Sequence, residues 1–145
     1  MKEVFIASDH AGLELKAKIA QALDGIAEVI DLGPHTFDKD DDYPDYAAQV
    51  SEKVLETGSM GILICDTGLG MSIAANRYSG IRAALCTNEF MAERARTHND
   101  ANILCLGSSV TDEDENSAIA KTFLTTEFSD APRHVRRNER LDTLG

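Results

Sequence analysis

The chain has 145 residues, 43% of them hydrophobic, and a net charge of −11. That is long enough for one full core and too acidic for a phosphodiester backbone as partner. No apolar run nears the ~20 residues that cross a bilayer, and Met1-Lys2-Glu3 leads into a short strand rather than the apolar stretch of a signal peptide, so no membrane role and a cytoplasmic address are expected.

Strand-like and helix-like segments alternate. "EVFIAS" (3 to 8) reads as a strand, and Leu15, Ile19, Ala22 and Leu23 then recur at helical spacing. "AEVIDLG" (27 to 33) is a second strand, closed by Gly33-Pro34. The polar loop "PHTFDKDDDYPD" follows, with Tyr43-Pro44 opening a helix marked by Tyr46, Val50 and Val54. "MGILIC" (60 to 65), "GIRAALC" (80 to 86) and "ANILCLG" (101 to 107) are three more strands. Between and after them, helical segments run through "GMSIAANR", through Phe90, Met91 and Ala95, and over roughly 112 to 126. Five strands apolar on both faces, each followed by a helix, predict one α/β domain over 1–145: a three-layer α/β/α Rossmann-like fold on a five-stranded parallel sheet. No repeat or linker marks a second domain.

In such a sheet the ligand crevice lies at the carboxyl ends of the strands, which singles out Asp9-His10, Cys65 to Gly70, Thr87-Asn88 and Gly107 to Ser109. "ICDTGLGMSIAANR" (64 to 77) places a thiol at a strand end and two glycines directly after it. Ile73 stands where a dinucleotide fingerprint needs its third glycine, and no Walker lysine follows. What remains is a nest of amides opening a helix, suited to a phosphate, a carboxylate or a developing oxyanion, or a tight turn with a purely structural role. The helix terminus favours the thiolate of Cys65 and Asp66 opposes it; such a sulfur suits proton abstraction beside a carbonyl or nucleophilic transfer.

Asp9 fits a helix cap as well as a catalytic acid. His98 and Asn99 precede the last strand at its amino end, which leaves His98 either a helix-terminal residue or part of a site shared between two copies. Four of the eight arginines (77, 82, 94, 96, 133, 136, 137 and 140) cluster near the C-terminus with His134, as a small-anion grip or a solvated basic tail. The aspartate-rich loop lacks the calcium-loop glycine and glutamate and reads as solvated. No His, Cys or carboxylate spacing matches a metal site, so no metal and no cofactor are expected. The scattered cysteines 65, 86 and 105 form no disulfide framework, and Cys86 and Cys105 read as small buried hydrophobes.

Together "SDHAG", "DYPDYA", "GILIC-TG-GMSIAAN", "GIRAAL", "HNDAN" and "RH--R" fall in the order and spacing of the B-type ribose-5-phosphate isomerase family, which includes the galactose-6-phosphate isomerase subunits. The chain resembles that family over nearly its whole length. The resemblance implies metal-free interconversion of an aldose phosphate and its ketose, at sites shared within a homodimer or a dimer of dimers. It makes Cys65 the base between C2 and C1, His98 the acid of ring opening, Thr67 a further catalytic residue, and the stretch Asp66, Thr67, Gly68, Leu69 and Gly70 the hole for the enediolate oxygen. Asp9, His10 and Asn99 match sugar-binding positions, Arg133 and Arg137 match phosphate ligands within the arginine-rich segment 131–145, and Tyr43 is expected to bind substrate as well. Ribose 5-phosphate is the expected substrate; a six-carbon sugar phosphate, or binding without turnover, are the alternatives. Two positions depart from the family: Asp66 stands where glycine usually follows the cysteine, and Ser109 where an arginine is common.

Overall fold

The computed structural model describes residues 1–145. Five strands, β1 (Lys2–Ser8), β2 (Ala27–Asp31), β3 (Met60–Cys65), β4 (Ala83–Leu85) and β5 (Ile103–Gly107), form one parallel sheet in the order β2-β1-β3-β5-β4. Side chains alternate between its faces. Val4, Ile6, Ile62, Ile64, Leu104 and Leu106 enter one core, and Phe5, Ala7, Leu63, Cys65, Ile103 and Cys105 enter the other. The first core is closed by α1 (Leu13–Ala22), α4 (Glu89–Thr97) and α5 (Glu113–Thr125), the second by α2 (Tyr43–Thr57) and α3 (Leu69–Ala75). This is the expected three-layer architecture, and each fully buried Ile or Leu contributes ~1.5–3 kcal/mol to it.

Helix ends follow local chemistry. Asn88 caps α4 by accepting from Met91 N at 2.8 Å, and Asp112 caps α5 by accepting from Glu115 N at 2.8 Å. Gly58 ends α2 in the left-handed conformation, φ 75°.

Two expectations need correction. Burial on both faces holds for β1, β3 and β5, whereas β2 and β4 are only partly covered because they are the sheet's edges. The basic C-terminus is a sixth helix, α6 (Pro132–Asp142), which carries no apolar period. Its buried residues are His134 and Asn138, one turn apart, and it docks by polar contacts rather than an oily stripe.

No helix is long and apolar enough to cross a membrane.

Candidate active site

The winding direction reverses between β1 and β3, opening a crevice at their carboxyl ends. There the last two carbonyls of β3 and the one after them are all bonded to neighbouring loops. Ile64 O accepts from Asp9 N at 3.2 Å, Cys65 O from Ser108 N at 2.9 Å, and Asp66 O from Ser109 N at 2.9 Å. The loop after β3 is therefore held from both sides. Gly107 makes the approach from β5 possible: a Cβ there would lie 2.5 Å from Thr67 O. Because that neighbour is backbone, Gly107→Ala is expected to destabilise the chain by ~1–3 kcal/mol, read as a lower unfolding midpoint in denaturant; an unchanged midpoint would show that the loop gives way freely.

Cys65 is buried and its Sγ accepts the N–H of Gly68 at 3.2 Å. Gly68 adopts φ 82°, a left-handed turn that swings this amide back onto the sulfur. Thr67 Oγ1 accepts from Leu69 N at 3.2 Å. The amides of Asp66, Thr67, Gly70 and Met71 have no protein acceptor, which makes the start of α3 an anion-binding concavity next to the thiol. The Tyr43 ring lies over Gly70 so closely that a Cβ at 70 would fall 2.5 Å from Tyr43 Cε1. Asp66 turns outward and accepts a hydrogen bond from Ser109 Oγ. The two departures from the resembled family thus meet each other.

Asp9 is buried and caps the turn His10–Gly12, its Oδ1 accepting from Ala11 N at 3.0 Å and Gly12 N at 3.2 Å. Burial pushes its carboxyl above the usual range, against the pull of those amides and of His10. Ser108 Oγ, donating to Ala11 O at 2.9 Å, ties this turn to the Cys65 loop.

The reading of the acidic loop as wholly solvated fails at Asp41. Its side chain is only 6% exposed, and Oδ1 lies 2.7 Å from His10 Nδ1 and 3.3 Å from His10 N. In space Asp9, His10 and Asp41 bring their ligand atoms within 4.8 Å of one another, which no sequence spacing shows. Asp9 Oδ1 is committed to two amides and His10 Nδ1 to Asp41, the pattern of a hydrogen-bonded dyad rather than of a cation's ligand set.

The second group sits at the other end of β5. His98 follows α4, and its ring stacks on His134 with centroids 4.1 Å apart. Arg94 Nη1 lies 3.3 Å from His98 Nε2; the guanidinium can only donate, so that ring nitrogen accepts. Asn138 Nδ2 donates to His98 O at 3.1 Å, and Asn99 Nδ2 to Asn138 Oδ1 at 3.4 Å. Arg133 and Arg137 are exposed on α6 beside this cluster.

Burial, then the neighbouring His98, Arg133 and Arg137, holds His134 below the usual histidine range. The depressed value sets the sign: the contribution of neutral His134 is present above pH ~6.5 and is lost as acid protonates the folded ring. Going from pH 7 to 5 is expected to lower the thermal midpoint, and less so in His134→Gln; equal falls in both would place the acid sensitivity elsewhere.

The structure therefore brings Cys65, Asp66, Thr67, Gly68, Leu69, Gly70, Tyr43, Asp9 and His10 together, and separately His98, Asn99, Arg133 and Arg137. One five-residue strand, about 17 Å, divides the two groups. Sequence reading missed Asp41, placed Ser108 in the crevice without a role, and left His134 without one of its own. The spacing of His134 and Asn138, one turn apart, was the available signal for the docked face of α6.

Fold and site place the molecule among the α/β isomerases. The profile of the ribose/galactose isomerase family matches residues 4–141. The chain is 45% identical over 141 residues to a probable ribose-5-phosphate isomerase B of Mycoplasma genitalium, covering 95% of this chain and 92% of that one. Among solved structures it is similar to ribose-5-phosphate isomerase B from Mycoplasma genitalium with bound ribulose-5-phosphate, at 45% identity and TM-score 0.93 over 97% of this chain and 93% of that one. Type B ribose 5-phosphate isomerase of Trypanosoma brucei is similar at 40% identity and TM-score 0.94, over 98% and 97%. The chain belongs to the ribose/galactose isomerase family.

Proposed function

We propose that this protein interconverts ribose 5-phosphate and ribulose 5-phosphate through an enediolate. The observation that carries the reading is Cys65 Sγ set against the Gly68 amide, beside helix-terminal amides that have no protein acceptor. In the open-chain aldose, the Cys65 thiolate takes the C2 proton. The electron pair forms the C1–C2 double bond, and the carbonyl π electrons move onto O1, where the free amides stabilise the charge. The same sulfur returns the proton to C1 while the O2 hydroxyl proton passes to O1, so that C2 becomes the ketone and C1 a hydroxymethyl group. Asp9 and His10 line the sugar, and Tyr43 closes the side of the crevice over Gly70.

Ring opening and the phosphate grip fall to His98, Asn99, Arg133 and Arg137. Their distance from Cys65 within one chain supports a homodimer in which each crevice is completed by the second copy, alone or within a dimer of dimers. Leu69 and Ile73, 56% and 67% exposed on α3 beside the thiol loop, support an interface there. Three unpaired thiols suit a reducing, cytoplasmic compartment.

The test is turnover across a panel of five- and six-carbon aldose phosphates. Ribose 5-phosphate should give the highest kcat/KM; a hexose phosphate ahead of it would move the assignment, and binding without turnover of any of them would end it.

A further inference from the structure

The proposed reaction leaves the buried carboxylate of Asp41 without a use. That side chain belongs to a loop of five aspartates, yet it turns inward while Asp38, Asp40, Asp42 and Asp45 are exposed. One oxygen takes both His10 Nδ1, at 2.7 Å, and His10 N, at 3.3 Å. The other, Oδ2, is buried with no hydrogen-bond partner. A desolvated carboxylate with a single side-chain partner directs its interaction almost wholly at that partner.

The loop is anchored where it begins. Lys16, buried in α1, donates from Nζ to Asp31 Oδ1 at 2.7 Å and to Pro34 O at 2.6 Å, while Asp31 Oδ1 also accepts from Gly33 N at 2.8 Å. Phe37 meets the His10 ring edge-on at 5.7 Å, so the imidazole is fixed by a ring contact as well as by its Nδ1 bond. With Nδ1 committed, Nε2 is the free nitrogen of a side chain that is one-third exposed, at the end of β1 next to the Cys65 loop.

Resting on the reading of the crevice as a sugar site, we propose that Asp41 is a positioning residue: its buried carboxylate orients the His10 ring through Nδ1 and presents Nε2–H as a hydrogen-bond donor to a sugar oxygen. The device parallels the carboxylate that orients a catalytic imidazole in hydrolase triads, where the acid acts only through the ring it holds.

The charges around the ring agree in sign. Asp9 from the end of β1, and Asp38 and Asp41 from the loop, all favour the imidazolium, with the Asp41 hydrogen bond the largest influence and partial burial opposing it. From α2 the neighbouring titratable group is Tyr46, which burial and the same aspartates keep protonated. Lys39 on the loop itself is exposed, and Lys16 of α1, which anchors the loop, is tied to Asp31. His10 is therefore held above the usual histidine range, which favours the form that carries a proton on both nitrogens.

Asp41→Asn removes the charge while keeping an oxygen that can accept from Nδ1. Followed by NMR in the full-length protein, the His10 titration midpoint should fall by about one unit, a tenfold change in the proton equilibrium. The alkaline limb of kcat/KM for ribose 5-phosphate should move down by the same amount, with KM rising more than kcat falls and the acid side unchanged. Asp41→Glu, which keeps the charge, should recover part of the shift. In a His10→Ala background, Asp41→Asn should cost nothing further. An unmoved His10 midpoint, a loss uniform across pH that follows a lowered thermal midpoint, or an undiminished effect in the His10→Ala background overturns the proposal. The titration needs no substrate. A wild-type chain inert toward ribose 5-phosphate, with the His10 midpoint still moved by Asp41→Asn, would place the failure in the assigned reaction and not in the pairing.

Discussion

Replacing Cys65 by serine is expected to lower kcat for ribose 5-phosphate by ~10²–10⁴-fold, the usual contribution of a positioned base, with little change in KM. Serine is close to cysteine in size and can still accept the Gly68 amide, so the loop and the α3 amides stay in place. What it lacks is the thiol, a far stronger acid than the alcohol that replaces it. The thermal midpoint measured on the same preparation separates the two effects: a folded chain that binds ribulose 5-phosphate and does not turn it over supports the assignment, and near-normal kcat in Cys65→Ser removes it. The other two thiols are no substitute. Burial pushes Cys86 up to about 12 and holds Cys105 well above the ordinary thiol range. Both remain the small apolar side chains their positions suggest.

Mixing two impaired variants should restore activity at low substrate. If each crevice takes Cys65 from one copy and Arg137 from the other, a dimer of one Cys65→Ser chain and one Arg137→Ala chain has one site with both lesions and one with neither. Random pairing makes half of the dimers mixed, so subunit exchange of equal amounts should regain about a quarter of the wild-type rate at substrate concentrations far below the KM of Arg137→Ala, where neither parent variant turns over appreciably. Arg137→Ala alone should chiefly raise KM for the phosphorylated sugar, since the guanidinium binds the end of the molecule that does not react. A mixture that stays at the sum of its parts would show that each site is complete within one chain. The exposed face of α6 would then need another purpose.

Much of this molecule is readable along the chain because its causes are local. Apolar runs and helical spacing locate the strands and the first five helices, Asp9 caps the turn it precedes, and the glycines after Cys65 mark the backbone that turns amides toward the sulfur. Helix α6 escapes that reading because it buries a histidine and an asparagine instead of leucines, and the hydrophobic period that reveals a helix is missing.

Amino-acid order by itself determined the layered α/β fold, the thiol beside its nest of amides, and the separation of His98 from that thiol by the length of a strand. Tertiary structure alone decided the order of the strands, the meeting of Asp66 with Ser109 across 43 positions, the stacking of His98 on His134, and the turning of one aspartate among five onto His10, 31 positions away. The physical reason is the range of the interactions. Backbone preference and burial period act between residues a few positions apart and leave their mark in composition. A hydrogen bond between distant side chains depends on where the packed core delivers both ends, and nothing in the neighbouring residues announces it.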